Sequence, residues 1–213
     1  MTRSISRAGF LRLAAMSASL FVIPSQTRAD DNEITRDMIL NDPDAPTAGN
    51  PKGDLTIVDF FDYNCPYCKK AATSLEKLVK ADGNIRIIYK DWPILHETSI
   101  VGARLALAAK YQDQYLPVHH ALMDIPGYGI SQEQMLDAVR KTAVDQARLD
   151  ADIAAHADDI LRLIKRNLGI AEAIGLQGTP GFLVGAFKVN QALTYDGFVR
   201  VVADARARVK KTK

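Results

Sequence analysis

The feature that most constrains the fold of this chain is a pair of cysteines that directly follows an apolar, strand-like run. The run, Leu55–Phe61, is rich in β-branched and aromatic residues, which is typical of a buried central strand. A short polar turn leads into Cys65-Pro66-Tyr67-Cys68, which holds the only two cysteines of the chain. A helix is predicted to begin at Cys65, and residues three apart lie on one face of a helix. The two sulfurs are therefore predicted to meet in the first helical turn.

The position of Cys65 at a helix N-terminus predicts a reactive thiol. The unpaired N–H groups and the macrodipole of that end stabilise negative charge, and the thiolate is the reactive form of cysteine. We therefore expect Cys65 to be the more exposed and more acidic thiol of a pair that cycles between dithiol and disulfide. An inert structural pair is the alternative, but closing so short a loop contributes little stability.

The first 29 residues are predicted to be a signal peptide that is cleaved after Ala29. They combine arginines near the start, the apolar run Leu13–Ile23, and Pro24 ahead of small residues, which is the pattern of an export signal. The run is too short to span a bilayer, which needs about 20 residues. An uncleaved N-terminal anchor helix is the alternative. Export would place the cysteines in an oxidising compartment, where disulfides form and persist.

The charge of the chain argues against nucleic acid as a partner. The chain has 27 Lys and Arg against 25 Asp and Glu, but four of the arginines lie in the first 29 residues, which contain no acid. The rest of the chain therefore holds 23 basic and 25 acidic side chains, and no basic stripe remains. No later run is long and apolar enough to predict a membrane span in the mature protein.

The order of predicted elements is strand, helix, strand, a long helical block, two strands and a final helix. After the first strand they are predicted over residues 65–81, 85–90, 181–185, 187–190 and 195–209. Two strands joined by a helix predict a right-handed parallel unit, and two closely spaced strands predict a hairpin. Residues 30–54 are polar and rich in turn residues, so we predict an N-terminal arm outside the core, with a short helix over 34–40.

The helical block covers residues 97–175. Ser131 and Gln134 occupy the positions of a capping box at the start of one helix. Apolar residues recur at helical spacing over 153–170, which predicts one long core helix that ends near Gly175. A connection of about 80 residues is far too long for a structureless loop. We therefore predict an inserted helical subdomain.

Three motifs together resemble the DsbA family of exported thiol–disulfide oxidoreductases. They are Phe-Phe-Asp-Tyr-Asn-Cys-Pro-Tyr-Cys over 60–68, Asp-Trp-Pro-Ile-Leu over 91–95 and Gly-Thr-Pro over 178–180. With the lead-in Asn-Asp-Pro-Asp-Ala-Pro over 41–46, the pair is most similar to the ScsC-like (suppressor of copper sensitivity) and Com1-type branch. The resemblance implies an α/β chain that has a thioredoxin fold with an inserted all-helical subdomain. The boundaries it implies are 55–96 and 176–209 for the thioredoxin-fold domain and 97–175 for the subdomain.

The resemblance also implies roles for five residues. Cys65 matches the family's nucleophile and Cys68 its resolving cysteine. Pro180 matches a cis-proline that faces the active site, with Thr179 beside it, and Asp59 matches a buried acid behind the cysteines. Thr179 before this proline is typical of isomerases and reductases, so it favours them over a pure oxidase.

Pro66 and Tyr67 are predicted to contact substrates or partners, because they lie between the two cysteines. Tyr67 stands where the best-known oxidases of the family have histidine, which argues against strong oxidising power.

Asp59 interrupts the apolar run of the first strand. A buried carboxylate is costly unless it is paired or protonated, so the pKa of Asp59 is predicted to rise. Such an acid could pass a proton to or from Cys68 during exchange. The alternative is an acid at the strand end that reaches water or Lys90.

The predicted function is disulfide exchange with protein substrates in the periplasm, as an oxidase or as an isomerase or reductase. A membrane redox partner of the DsbB or DsbD/ScsB type is implied by the resemblance, and no cofactor is expected. The arm over 30–54 is short and broken by proline, which favours a monomer. Copper(I) handling by the two soft thiolates is an alternative, and a peptide-binding chaperone with vestigial cysteines is another.

No metal site is predicted from the histidines. Structural zinc needs four ligands in tetrahedral geometry, and adjacent histidines on a helix face apart. Structural or surface roles are therefore expected for His96, His119, His120 and His156.

Overall fold

The computed structural model describes residues 34–211, which form five strands and eight α-helices. The strands are β1 (Thr47–Gly49), β2 (Leu55–Phe61), β3 (Ile85–Asp91), β4 (Gly181–Val184) and β5 (Phe187–Val189). The helices are α1 (Arg36–Leu40), α2 (Pro66–Asp82), α3 (Ser99–Ala109), α4 (Tyr115–Met123), α5 (Gln132–Arg140), α6 (Gln146–Ala155), α7 (Ala157–Ala173) and α8 (Tyr195–Lys211). The predicted signal peptide, residues 1–29, lies outside the described residues.

The strands form one mixed sheet in the order β1-β3-β2-β4-β5. As predicted, β2 and β3 are parallel and joined by α2, and β4 and β5 form a hairpin, with β4 antiparallel to β2. The register sets Asp59 opposite Tyr89 and Phe60 opposite Lys90. Since successive side chains of a strand point to opposite faces, Asp59 and Lys90 lie on different faces of the sheet.

Helix α2 carries the second cysteine on its buried face. Cys68, Ala71, Leu75 and Leu78 are all buried and recur every three to four residues, which is the spacing of one helix face. The helix ends at Gly83, whose left-handed backbone (φ 73°) closes its C-terminus. Because this stripe anchors the helix, truncating Leu75 to alanine would cost about 2–5 kcal/mol.

The residues predicted to form an arm, 30–54, contribute to the sheet and to an ion cluster where they are described. β1 adds an antiparallel strand beside β3. Asp42 accepts a hydrogen bond from Lys90 Nζ (2.9 Å) and two from Arg166 (3.0 and 2.7 Å). The Lys90 side chain has no exposed surface, so this pairing offsets the cost of burying its charge. β1 is not predicted by the sequence pattern, because Thr-Ala-Gly has little strand propensity.

The block between β3 and β4 is helical, as predicted, and it contains five α-helices, α3 to α7. The capping box of Ser131 and Gln134 is present at the start of α5. The single long helix predicted over 153–175 is wrong. The chain leaves helical geometry at His156 (φ −112°, ψ 19°), which separates α6 from α7.

Two leucines of α7 that the apolar spacing places in the core are in fact exposed. Leu161 and Leu168 are 43% and 45% exposed, whereas Ile160 and Ile164 are buried. Successive residues are turned by about 100° around a helix. Leu161 and Leu168 therefore share a stripe beside the core face and not on it.

Candidate active site

Cys65 caps the N-terminus of α2 with its own sulfur. The backbone N–H of Cys68 donates to Cys65 Sγ at 3.1 Å, and the Cys65 backbone is extended (φ −86°, ψ 110°), as an N-cap requires. Pro66 fills the first helical position, where its missing N–H costs nothing. Both cysteines are free thiols. The sequence-predicted pair therefore meets at the helix N-terminus.

The contacts at this N-terminus stabilise the Cys65 thiolate. A hydrogen bond from the Cys68 thiol is the largest effect that lowers the pKa of Cys65, and the Thr179 hydroxyl and the backbone N–H groups of Cys68 and Tyr67 lower it further. Burial opposes them, and the pKa falls to about 6. At pH 7 such a thiol is about 90% thiolate, against about 3% for a free cysteine with a pKa of about 8.5.

Cys68 is the unreactive thiol of the resting pair. Burial raises the pKa of Cys68 well above its usual range, and its hydrogen bond to Cys65 and the Cys65 charge raise it further. The predicted contrast in acidity is therefore present. The predicted contrast in exposure is wrong, because Cys65 and Cys68 are 1% and 2% exposed. The Thr179 carbonyl lies 3.4 Å from Cys65 Sγ, so a substrate sulfur has to displace part of this cover.

The Thr179–Pro180 peptide bond is cis, as predicted. The segment that contains it, between α7 and β4, brings Thr179 to the sulfur pair. When Cys65 is protonated, its thiol donates to the Thr179 carbonyl. The Thr179 hydroxyl is buried and has no other hydrogen-bond partner among residues 34–211, which leaves it free to donate to the Cys65 thiolate.

Asp59 is buried behind the site and is 4% exposed. Burial raises the pKa of Asp59 to about 8, and the negative charge of Cys65 contributes. Pairing with Lys90 does not occur, because Lys90 lies on the other face of the sheet and binds Asp42. Asp59 Oδ1 has no hydrogen-bond partner in the described part of the chain. Within the described residues, Asp59 Oδ1 therefore makes no direct hydrogen bond to Cys68.

A buried polar network that the sequence pattern does not predict holds the turn before Cys65. The Asp62 carboxylate accepts four hydrogen bonds of 2.7–2.9 Å, from the N–H groups of Asn64, Ile94 and Leu95 and from the Ser99 hydroxyl. The Asn64 side chain donates to the Thr98 and Ser99 hydroxyls and accepts from the N–H of Ile130. Asp-Tyr-Asn is a turn sequence in which Asp caps the N–H two residues on. The residues from distant segments that bind Asp62 and Asn64 have no local sequence motif that would predict these hydrogen bonds.

Exposed apolar side chains lie between the two cysteines and on the loops that are hydrogen-bonded to the turn before Cys65. Tyr67, which was predicted with Pro66 to contact substrates, is 64% exposed. Ile94 and Tyr128, from two loops tied to the polar network, are 41% and 58% exposed. The Tyr128 hydroxyl donates to the Leu95 carbonyl at 2.8 Å, which joins these loops. The two sulfurs are buried, whereas Tyr67 between them is exposed to solvent.

Residues 34–211 contain no group of three or more His, Cys, Asp or Glu side chains arranged to hold a metal ion. The copper(I) alternative stays a prediction that rests on two sulfurs alone. None of the helices in the described part of the chain has the length and apolar character that crossing a membrane requires.

Comparisons with known proteins agree with this geometry. A family model described as Thioredoxin matches residues 41–204. A thioredoxin-like oxidoreductase from Silicibacter pomeroyi is 39% identical, with a TM-score of 0.76 over 82% of this chain and 99% of that one. A periplasmic thioredoxin-like protein from Salmonella enterica is 31% identical, with a TM-score of 0.73 over 82% and 99%. The catalytic domain of Proteus mirabilis ScsC is 28% identical, with a TM-score of 0.63 over 80% and 94%.

The curated relatives are longer proteins. The chain is 26% identical over 152 residues to a Na⁺/H⁺ antiporter NhaA 1 of a Mycobacterium species, a match that covers 70% of this chain and 23% of the antiporter. The chain therefore spans about a quarter of the length of the curated relatives it matches.

Proposed function

Because the chain belongs to the thioredoxin family, among the DsbA-like oxidoreductases related to ScsC, we propose that it exchanges disulfides with protein substrates in the periplasm. In this proposal it acts as an isomerase or reductase and not as a strong oxidase. The observation that carries the proposal is the position of the Cys65 sulfur, which caps a helix N-terminus beside the buried Cys68 thiol.

The exchange reaction follows from the unequal acidity of the two thiols. The Cys65 thiolate attacks a substrate disulfide, forms a mixed disulfide and expels one substrate thiolate, which takes up a proton. Cys68 then loses its proton and attacks Cys65 Sγ, which forms the intramolecular disulfide and releases the second substrate thiolate. The substrate is reduced by two electrons and the pair is oxidised. If a substrate thiolate attacks the mixed disulfide first, the pair stays reduced and the substrate is isomerised.

The proposed direction rests on Tyr67 and Thr179, which by resemblance favour an isomerase or reductase, and a moderate lowering of the Cys65 pKa agrees with it. A pKa of about 6 is nearer to that of thioredoxin (about 7) than to that of the strong oxidant DsbA (about 3.5). At pH 7 the lowered pKa of Cys65 stabilises the dithiol by about 1–2 kcal/mol relative to an unshifted thiol, which makes the disulfide about 20–40 mV more oxidising. This shift in reduction potential is small compared with the difference in reduction potential between reductases and strong oxidases.

Asp59 has the properties that a proton acceptor for Cys68 needs. The Cys65 thiolate helps to keep the pKa of Asp59 raised. When Cys65 enters a mixed disulfide this charge is lost, so the pKa of Asp59 falls and the carboxylate becomes available as a base. Asp59 then accepts the Cys68 proton through water at the step at which Cys68 has to ionise.

The proposed compartment and partners rest on the predicted signal peptide over 1–29 and on the Salmonella relative, which is described as periplasmic. Each net exchange converts the cysteine pair from one redox form to the other. A membrane partner of the DsbB or DsbD/ScsB type would return the pair to its starting form. A monomer is proposed because the arm over 30–54 is short and broken by proline.

Two assays on one preparation test the proposal. The purified protein should reactivate a scrambled disulfide-bonded enzyme and should reduce insulin with a dithiol donor. Cys65→Ser should abolish both activities, whereas Cys68→Ser should abolish reduction and trap mixed disulfides. Oxidation of a reduced substrate without any isomerisation would contradict the proposed direction. Full activity of Cys65→Ser would contradict the proposed chemistry.

A further inference from the structure

The α4–α5 loop, residues 125–130, is hydrogen-bonded to both ends of the segment that carries the two cysteines. Asn64, directly before the cysteine pair, accepts a hydrogen bond at 2.7 Å from the last N–H of the loop. Lys69, directly after the pair, donates from its ammonium group to the loop carbonyls of Ile125 and Gly127. Hydrogen bonds from a charged donor are the stronger ones in proteins. The loop therefore runs beside the reactive segment and is attached on both sides of it.

The same loop is also fixed to the segment that follows β3. The Thr98 hydroxyl donates to the Ile130 carbonyl at 2.6 Å, and the Tyr128 hydroxyl donates to the Leu95 carbonyl at 2.8 Å. The rings of His96 and Tyr128 meet edge to face, with their centroids 5.7 Å apart. Contacts of this kind hold an aromatic ring in one orientation. The loop is therefore fixed by two separate segments, one at the cysteines and one after β3.

Tyr128 is presented to solvent at the tip of this loop. It is 58% exposed, although its hydroxyl is already bonded within the protein. The residues on either side, Gly127 and Gly129, have left-handed backbones (φ 91° and 68°), which glycine adopts without steric cost. The tip, Pro-Gly-Tyr-Gly over 126–129, carries no charge. A fixed aromatic ring offers contact area at a low cost in conformational entropy. The loop therefore presents a preorganised, uncharged contact.

We propose that the α4–α5 loop selects the substrates of the cysteine pair, and that Tyr128 contacts apolar side chains of the polypeptide whose disulfide Cys65 attacks. The inference rests on the proposed disulfide exchange. The substrate class is a polypeptide with apolar residues next to its cysteine. Two further exposed side chains suit such a substrate, Tyr67 between the cysteines and Ile94 on the segment that Tyr128 contacts. Lys69 is a positioning residue here, because it acts through the loop.

Two peptide probes separate this contact from the chemistry of the thiols. One is a symmetric disulfide of a peptide that has leucine on each side of its cysteine, and the other has serine in those places. Cys65 attacks one sulfur of either probe, forms a mixed disulfide and releases one peptide thiolate. The rate of attack depends on the acidities of the thiols and on access. Changes in the reactivity of Cys65 affect both probes equally, so they cancel in the ratio of the two rate constants.

Truncating Tyr128 tests the contact directly. The readout is the rate constant for the leucine probe divided by that for the serine probe, measured with the reduced protein by acid quenching and mass spectrometry. We expect a ratio of about 10 or more in the unmodified protein, and a fall of about 10-fold in Tyr128→Ala, which is typical for the loss of an anchoring aromatic side chain. Leu161→Ala removes a side chain of α7 that is 43% exposed and is the matched control. Its ratio should stay within twofold of the unmodified protein.

Replacing Lys69 tests how the loop is positioned. Lys69→Met removes the two hydrogen bonds to the loop and keeps a long side chain, and Lys70→Met is the control at an exposed neighbour on the same helix. Amide hydrogen exchange over 125–130 should become faster in Lys69→Met and stay unchanged in Lys70→Met. The probe ratio should fall in Lys69→Met alone. The double variant Lys69→Met/Tyr128→Ala should have a ratio no lower than that of Tyr128→Ala.

Each result that contradicts the inference is distinct from a failure of the proposed function. A ratio near one in the unmodified protein, or an unchanged ratio in Tyr128→Ala, would overturn substrate selection by the loop. Unchanged hydrogen exchange in Lys69→Met, or a ratio in the double variant below that of Tyr128→Ala, would overturn the positioning role of Lys69. If the unmodified protein reacted with neither probe, the proposed disulfide exchange itself would be wrong.

Discussion

Replacing Asp59 with asparagine should change how the stability of the protein depends on pH. Burial, helped by nearby negative charge, raises the pKa of Asp59 to about 8 in the folded protein, whereas an aspartate in an unfolded chain has a pKa of about 3.9. Between these two values the folded protein keeps a proton that the unfolded chain has lost. The free energy of unfolding therefore falls as the pH rises through this window.

The size of the effect follows from the two pKa values. At about 1.36 kcal/mol per pKa unit, Asp59 lowers the free energy of unfolding by about 3–4 kcal/mol between pH 4 and pH 7. The figure changes little if the folded pKa is one unit higher or lower, because Asp59 is largely protonated in the folded protein over most of that range. Asparagine does not titrate, so the variant lacks this loss.

Urea unfolding at pH 4, 5, 6 and 7 measures this pH-dependent loss of stability. The quantity to follow is the free energy of unfolding of Asp59→Asn minus that of the unmodified protein. The other titrating groups largely cancel in this difference, and the cost of the buried amide adds an offset that does not change with pH. This difference should rise by about 3–4 kcal/mol from pH 4 to pH 7. A difference that is the same at all four pH values would refute the burial argument for Asp59.

Three further substitutions test separate parts of the site and fold. Cys68→Ala should raise the pKa of Cys65 by about 1–2 units, because it removes a charge-assisted hydrogen bond worth about 1.5–3 kcal/mol. Cys68→Ser keeps a hydrogen-bond donor and should raise the pKa of Cys65 less. Equal Cys65 pKa values in the two variants, measured by pH-dependent alkylation, would contradict this role of Cys68. Thr179→Val should raise the pKa of Cys65 by a smaller amount in the same assay. An unchanged pKa would show that the Thr179 hydroxyl does not stabilise the Cys65 thiolate. Asp42→Asn should lower the free energy of unfolding, measured in urea, by about 3–5 kcal/mol, because it leaves the Lys90 charge buried with a weaker partner. A change below about 1 kcal/mol would show that the Asp42–Lys90 ion pair is dispensable for stability.

Local sequence signals predicted the part of the site that depends on a single turn of chain. The spacing of Cys65 and Cys68, the strand before them and the helix after them are all short-range patterns, and the structure agrees with each. The buried position of Asp59 also followed from its place in an apolar run. The cis bond at Pro180 was expected from the resemblance, because spacing alone gives no isomer preference of that strength.

What the sequence could not predict depends on contacts between distant residues. Cys65 is covered because Thr179, 114 positions away, lies against its sulfur. The four donors around Asp62 come from segments that are adjacent only in the fold. The break at His156 was hidden because the apolar spacing continues through it, although the backbone leaves helical geometry at that residue.

The measurement that tests the central claim most directly is the pH dependence of alkylation of the reduced protein by iodoacetamide, with the modified cysteine identified by mass spectrometry. The structure predicts modification of Cys65 alone, with a rate that rises to a plateau around a midpoint near pH 6. A midpoint at or above the free-cysteine value of about 8.5, or modification of Cys68 first, would contradict it.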